Sequence, residues 1–407
     1  MNYKEIARNV KADSFKLASL PEEVRNEALK NIAQTLEDNK EAIFAANQAD
    51  CAAGDSLPAP LASRLKFDDH KLSDCLSGID NLIGLPDPLF RPLLKRSLDE
   101  GLTLVKTTCP IGVIGVIFES RPDALVQISA LCVKSGNCAI LKGGSEAKNT
   151  NKCLFDLIYQ AGVAAGLPHG FITLVESRGG IDELLGCHES IDLIIPRGSN
   201  EFVQYIMANS KIPVMGHADG ICHIYVDKSA DIQKALPIIV DSKTQYVAAC
   251  NAAETLLLHE DVAEEVLALL KNESIQLRPA QSEADFKEYL DYILTVKTVA
   301  DLDQAIAHIN RYGSHHTDCI ITEDGAAAEK FMNFVDSAGV YHNCSTRFAD
   351  GFRYGFGAEV GISTGKLHAR GPVGLDGLVT YKYRLHGQGQ IVADYASGKR
   401  NFQFQDL

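Results

Sequence analysis

From residue 111 the chain alternates short, near-continuous apolar runs with amphipathic helical stretches, and this alternation constrains the fold more than any other feature. "IGVIGVIF" reads as a buried strand and "DALVQISALCVKSG" as a helix ending at Gly136. "CAILKGG" is a second strand and "KNTNKCLFDLIYQAGVAAG" a second helix, with "FITLVE", "IDLIIP" and "CHIYVD" as further strands. Strands apolar on both faces belong in parallel sheets covered by helices. The run is expected to end near Asp227. A second α/β unit starts near 232 with the helix "IQKALPIIVDSKT", the strand "ETLLLH" and the helix "DVAEEVLALLKN". Upstream, "SLPEEVRNEALKNIAQTLEDNK" puts Val24, Ala28, Leu29, Ile32 and Leu36 on one helical face, with Ser19 and Glu22 as a candidate capping box. The Pro-rich "GLPDPLFRPLL" reads as a linker or irregular crossing, and the tail "LVTYKYRLHGQGQIVADY" as an extended arm.

Bulk properties exclude several classes. A chain of 407 residues is long enough for two or three domains. Its formal net charge of -14 opposes the basic face that a nucleic-acid partner requires. No apolar run approaches the ~18 residues of a membrane span, and "MNYKEIARNVKADSFKLASL" has no signal-peptide core. The expectation is therefore a cytoplasmic protein with neither nucleic acid nor membrane as partner. Eleven scattered cysteines without a Cys-x-x-Cys fit a reducing compartment. His217 and His223 flank "ADGIC" and His315 adjoins His316, but neither spacing is that of a zinc site, so no metal is expected.

The polar groups that could carry chemistry cluster at strand ends. There is no Gly-x-Gly-x-x-Gly, so the usual dinucleotide fingerprint is absent. "ILKGGS" instead ends in Lys142, Gly143, Gly144 and Ser145, "LIIPRGSNEF" in Arg197, Gly198 and Ser199, and "IFESRPD" in Ser120, Arg121 and Pro122. Each alone reads as a turn with a helix cap. Three in one sheet favour a nucleotide site, because open α/β sheets bind ligands beyond the carboxyl ends of their strands. Cys250, in "VAACNAAETLL", reads first as core filler, since free cysteine usually packs as a small hydrophobe, and becomes a nucleophile only if the rest of the chain argues for it. "STRF" at 345–348 and Arg370 supply loop cations suited to an anion if they lie near a reactive thiol.

Eight segments together resemble one family: "IGVIGVIFESRPD", "AILKGGSEA", "DLIIPRGS", "GICHIYVD", "CNAAETLL", "GSHHTDCIITED", "NCSTRFADG" and "GAEVGISTGKLHARGPVGL". They are similar to the gamma-glutamyl phosphate reductases, the proline-biosynthesis members of the aldehyde dehydrogenase superfamily. The resemblance implies an aldehyde dehydrogenase-like α/β fold, with two doubly wound parallel-sheet domains and a small β oligomerisation arm. It implies a cofactor-binding domain over 1–230, interrupted near 96–112 by part of the arm. A catalytic domain over 231–360 and a return to the cofactor domain with a C-terminal arm over 361–407 complete the division.

The resemblance makes Cys250 the nucleophile, with Ser120 and Asn251 as candidate oxyanion donors. It assigns NADPH or NADP as cofactor, with Lys142, Ser145, Gly198 and Ser199 around it. In NAD-using relatives a glutamate lies three positions after the strand-end lysine, and Ser145 stands there; Glu146, one residue on, is expected to face away from the ribose. Arg121, Ser345, Thr346 and Arg347 are the candidates for L-glutamyl 5-phosphate. His217 appears where most aldehyde-oxidising relatives carry a thioester-hydrolysing glutamate. A homo-oligomer, with a dimer favoured, is implied, and a transient contact with glutamate 5-kinase is allowed. Two alternatives stay open: an aldehyde-oxidising enzyme on the same fold, and a catalytically dead nucleotide-binding scaffold.

Overall fold

Residues 2–54, 62, 64–176, 180–217 and 219–407 are described in a computed structural model. They divide into two compact units. One comprises Met1–Gly198, Ile206–Val214 and Gly374–Leu407, the other Ser199–Tyr205 and Met215–Val373.

The first unit opens with helices α1 (Tyr3–Leu17), α2 (Glu22–Asp38), α3 (Lys40–Ala53) and α4 (Asp69–Gly84). On α2, Ala28, Leu29, Ile32 and Leu36 are buried as the periodicity predicts. Arg25 is buried with them, whereas Val24 is only half-buried. The guanidinium of Arg25 donates to Asp87 at 2.7 Å and to the Lys134 carbonyl, which is what makes its burial tolerable. The expected Ser19 cap is not formed: Pro21 holds the N-cap position, and Ser19 Oγ donates backward to the Lys16 carbonyl.

The first parallel sheet has the order β5-β4-β3-β6, from β3 (Val113–Phe118), β4 (Cys138–Gly143), β5 (Ile172–Leu174) and β6 (Leu193–Arg197). Helices α5 (Pro122–Lys134) and α6 (Lys148–Ala164) connect β3 to β4 and β4 to β5. A separate antiparallel sheet carries the arm, with β1 (Pro92–Asp99), β2 (Leu102–Pro110), β15 (Val379–His386) and β16 (Gln405–Asp406) in the order β15-β2-β1-β16. The Pro-rich segment thus leads directly into an arm strand.

The second unit is built on a six-stranded parallel sheet, β12-β11-β7-β8-β10-β9. Its strands are β7 (Cys222–Val226), β8 (Ala253–His259), β9 (Gln276–Pro279), β10 (Ile293–Val299), β11 (Thr317–Ile321) and β12 (Gly339–His342). This corrects one expectation. "CHIYVD" does not close the first sheet near Asp227; it forms β7, between β11 and β8 of the second sheet. The division accordingly falls at 198/199, 205/206, 214/215 and 373/374 rather than at 230/231 and 360/361. Helix α9 (Ile232–Thr244) packs Ala235 and Ile239 against Leu256 and Leu258 of β8. Numbering the intervening helices in order, α7 is Ile181–Leu185 and α8 is Asn200–Asn209.

One charged pair is embedded in that apolar layer. Lys243, in the last turn of α9, donates to Glu254 of β8 at 2.8 Å, and both side chains are fully buried. Burial pushes the Glu254 carboxyl up to about 7, while Lys243 pulls it down. Removing one charge strands the other, whereas removing both can be nearly neutral. Lys243→Met should therefore destabilise the chain by roughly 3–5 kcal/mol, and the double change Lys243→Met, Glu254→Leu by much less. Urea denaturation of the three proteins followed by circular dichroism checks this; equal losses for the single and double variants would refute it.

Candidate active site

Three neighbouring strands of the second sheet begin beside Cys250. Gly220 and Ile221 precede β7, Cys250 and Asn251 lie in the turn before β8, and His316 immediately precedes β11. The backbones meet closely: a Cβ placed on Gly220 would lie well inside 3.0 Å of the backbone of Cys250. Cys222 Sγ donates to the Cys250 carbonyl at 3.4 Å, tying β7 to the same turn.

Cys250 is half-buried, and its Sγ lies 3.2 Å from Nε2 of the fully buried His316. The other ring nitrogen, Nδ1, is 2.9 Å from Thr317 Oγ1. His217 stacks edge-on to His316, with ring centroids 4.9 Å apart. The other thiols have different surroundings. Burial pushes Cys75, Cys132 and Cys319 up to about 12. It also raises Cys51, Cys109, Cys138, Cys153, Cys187, Cys222 and Cys344. A thiolate is the reactive form, so a thiol facing an imidazole is the one disposed to react.

Thr346 and Arg347 lie in a short 3-10 turn, Thr346–Phe348, with Ser345 as its N-cap, and the structure separates their roles. Ser345 and Thr346 are buried and build the turn. Thr346 Oγ1 donates to the Asn251 carbonyl at 2.7 Å, and Ser242 Oγ donates to Ser345 Oγ at 3.2 Å. Asn251 Nδ2 donates in return to the Ala349 carbonyl at 2.8 Å. That amide group is thus engaged in fastening the Cys250 turn to the 345–349 segment. Arg347 Nε donates to Gln245 Oε1 at 2.9 Å. Burial and the neighbouring Arg353 lower the Arg347 pKa, while Cys250 acts in the opposite sense. Arg353 donates through Nη1 to the Arg347 carbonyl at 2.6 Å. A guanidinium near the thiol, with a second tethered to its backbone, suits a multiply charged anion. Arg370 is spent elsewhere, donating to Asp336 at 3.0 Å.

The remaining candidates lie on the first sheet. Lys142, Gly143, Gly144 and Ser145 line a cavity of about 190 Å³ together with Lys148, Asn151 and Glu176. A Cβ on Gly143 would strike the Asn151 side chain, and one on Gly144 the Glu146 carboxylate. A larger residue at either position would have to push those side-chain ends aside. Lys142 is half-buried, its pKa lowered by burial, and Nζ donates to the Gly143 carbonyl at 3.0 Å. Glu146 turns to Ser120, accepting from its backbone N–H at 2.6 Å and its Oγ at 2.8 Å. The Ser120 hydroxyl, expected to face an oxyanion, is thus committed to a carboxylate. Arg121 occupies the N-cap position of α5, and Gly198 and Ser199 follow β6 ahead of α8.

Sequence reasoning missed His316 as a partner of the thiol, together with Gln245, Arg353 and the Glu146–Ser120 contact. "GSHHTD" was a clue to His316, but only the pairing of β11 with β7 and β7 with β8 brings it to Cys250.

Comparisons with known proteins place the whole chain in one family. Residues 2–287 match the aldehyde dehydrogenase family model. A gamma-glutamyl phosphate reductase of Ruminiclostridium cellulolyticum is 57% identical, the alignment covering 100% of this chain and 98% of that protein. One from Pelotomaculum thermopropionicum is also 57% identical, with the same coverage. The crystal structure of the gamma-glutamyl phosphate reductase of Thermotoga maritima superposes with a TM-score of 0.93 at 36% identity, covering 96% of this chain and 100% of that one. With its aldehyde dehydrogenase-like α/β fold and its end-to-end likeness to these oxidoreductases, the chain belongs to the aldehyde dehydrogenase family, in its gamma-glutamyl phosphate reductase branch.

Proposed function

We propose that this enzyme reduces L-glutamyl 5-phosphate to L-glutamate 5-semialdehyde, with release of phosphate, on the route from glutamate to proline. The observation that carries the reading is the Cys250–His316 contact beside Arg347 in a chain of this branch. The Cys250 thiol gives its proton to His316 Nε2, and Sγ attacks the acyl carbon. As the bond from carbon to phosphate oxygen breaks, His316 hands that proton to the departing phosphate. A thioester on Cys250 remains. The backbone N–H of Cys250 serves the oxyanion, while Asn251 holds the turn and Ser120 orders the β3 end through Glu146. Arg347, with Arg353 behind it, binds the negative end of the substrate, and Arg121 is the candidate for the other anionic group.

The cavity at the end of β4 fits a dinucleotide. Two backbone glycines open onto it, Lys142 and Lys148 offer cations, and Ser145 leaves the ribose side without the glutamate of NAD-using relatives. The cofactor read here is NADPH, which when bound supplies the hydride that converts the thioester to the aldehyde. Cys250 then leaves as thiolate and takes a proton from solvent. The arm, whose β15 presents a mostly exposed face at the end of its sheet, is read as the surface of a homodimer.

Run in reverse, the wild-type enzyme should reduce NADP with glutamate semialdehyde only when phosphate is present. Cys250→Ser should abolish turnover while still binding NADPH, since a hydroxyl barely ionises where a thiol has a free pKa of about 8.5. Phosphate-independent turnover would instead mean hydrolytic aldehyde oxidation. Arg347→Ala should raise KM for the semialdehyde or acyl phosphate by roughly ten- to a hundredfold and leave KM for NADP nearly unchanged. Unaltered substrate kinetics would remove Arg347 from the site. Ser145→Glu should weaken NADPH far more than NADH, because a carboxylate repels a 2′-phosphate. Equal losses, or a wild-type preference for NADH, would disprove the ribose assignment.

A further inference from the structure

We infer that His217, Cys250 and His316 form a capture site for zinc(II), which closes the thiol reversibly. One ring nitrogen from each histidine and the Cys250 sulfur all lie within 4.8 Å of one another. The imidazoles are already oriented as zinc ligands commonly are, each with its outer nitrogen hydrogen-bonded. His217 Nδ1 lies 2.8 Å from the Ile362 carbonyl, which can only accept, so in the neutral ring Nε2 is the nitrogen able to ligate a metal. His316 uses Nδ1 toward Thr317 Oγ1 and turns Nε2 to the sulfur. Bond lengths near 2.3 Å to sulfur and 2.0–2.1 Å to nitrogen place tetrahedral ligands about 3.3–3.7 Å apart. The widest separation must therefore close by about an ångström. Cys250 and His217 are half-buried and stand in loops rather than strands, so side-chain rotation can supply that movement. One thiolate and two imidazoles suit a borderline-soft ion and not magnesium or calcium. Three protein ligands leave a fourth position to water.

Binding breaks the S–H bond, forms a Zn–S bond and releases the proton to the buffer, with no change of oxidation state. A metallated sulfur cannot accept an acyl group. That consequence for turnover rests on Cys250 being the nucleophile, whereas metal binding itself does not. Patterned ligand spacing is absent, because the three side chains reach one point only through the order of β11, β7 and β8.

The test reads the thiols directly. The full-length protein is treated with iodoacetamide at fixed free Zn²⁺, and labelling is quantified peptide by peptide. Zinc should slow labelling of Cys250 at least tenfold, EDTA should restore it, and the partly exposed Cys51 and Cys109 should be unaffected. His217→Ala and His316→Ala should each raise the zinc concentration for half-protection by at least about tenfold, the low end of the usual loss when a metal site is impaired. The buried Cys132 and Cys319 must stay unlabelled in both variants, which certifies their fold. On the wild-type protein, Co²⁺ should produce a thiolate-to-metal charge-transfer band that iodoacetamide pretreatment removes. Protection of all thiols alike, undiminished protection in both histidine variants, or absence of the cobalt band would overturn the site. Each of these readouts is independent of turnover, so an inactive but zinc-protected enzyme would count against the proposed reaction alone.

Discussion

The site in the second unit depends on one close approach. The α-carbon of Gly220 lies against the backbone of Cys250 so tightly that even a methyl group would collide with it. This contact seats the turn before β8 on the turn before β7, and the Cys222 thiol reinforces it through the Cys250 carbonyl. His316, Asn251 and the Arg347 turn are all arranged relative to that seat. Glycine here supplies space rather than an unusual backbone angle. The surrounding layer is made rigid by strands whose side chains are buried on both faces, from Ile224 through Leu256 to Ile321.

The two parallel sheets present their polar groups at opposite ends. In the first sheet Ser120, Lys142 and Gly198 follow strands, as expected of open α/β sheets that bind ligands beyond their carboxyl edges. In the second sheet Cys250 and His316 precede strands. The difference has a physical origin. At a carboxyl edge the chain turns into a helix N-terminus, whose free N–H groups favour phosphates. At an amino edge it arrives from a helix C-terminus, here the last turn of α9, where exposed carbonyls disfavour anions. On the proposed function, the burden of holding an anionic substrate in that unit falls on side chains, and Arg347 with Arg353 behind it is the candidate to bear it.

That distinction explains what could be read in advance. Strands such as "IGVIGVIF" and "ETLLLH" were legible because a run buried on both faces leaves few alternatives. Their grouping was less so: an apolar run states that it is covered, not by which sheet, and "CHIYVD" was assigned to the wrong one. Local chemistry misled at Ser19, where the helix start was taken by Pro21, and at Val24, which is half-buried while Arg25 beside it is buried through Asp87 and Lys134 far away in the chain. Lys142, Ser145 and their glycines were visible because they are contiguous. His316 and Arg353 were not, since their significance lies in contacts across 66 residues or behind another arginine.

In the two proposals, the histidine at position 217 is common to the reaction and to its control by metal. A carboxylate in that place would serve as a base for water and promote loss of a thioester by hydrolysis. An imidazole whose Nδ1 lies 2.8 Å from the Ile362 carbonyl carries, in its neutral form, the lone pair on Nε2. On the proposed chemistry, replacing the carboxylate removes a fixed negative charge from the neighbourhood of a sulfur that must ionise. The same replacement adds a second nitrogen donor beside a thiol already facing His316. Features that favour a reactive thiolate, namely partial burial, an oriented imidazole and no competing carboxylate, are those that favour a soft metal ion. The proposed susceptibility to metal would thus follow directly from the proposed way this site makes its nucleophile.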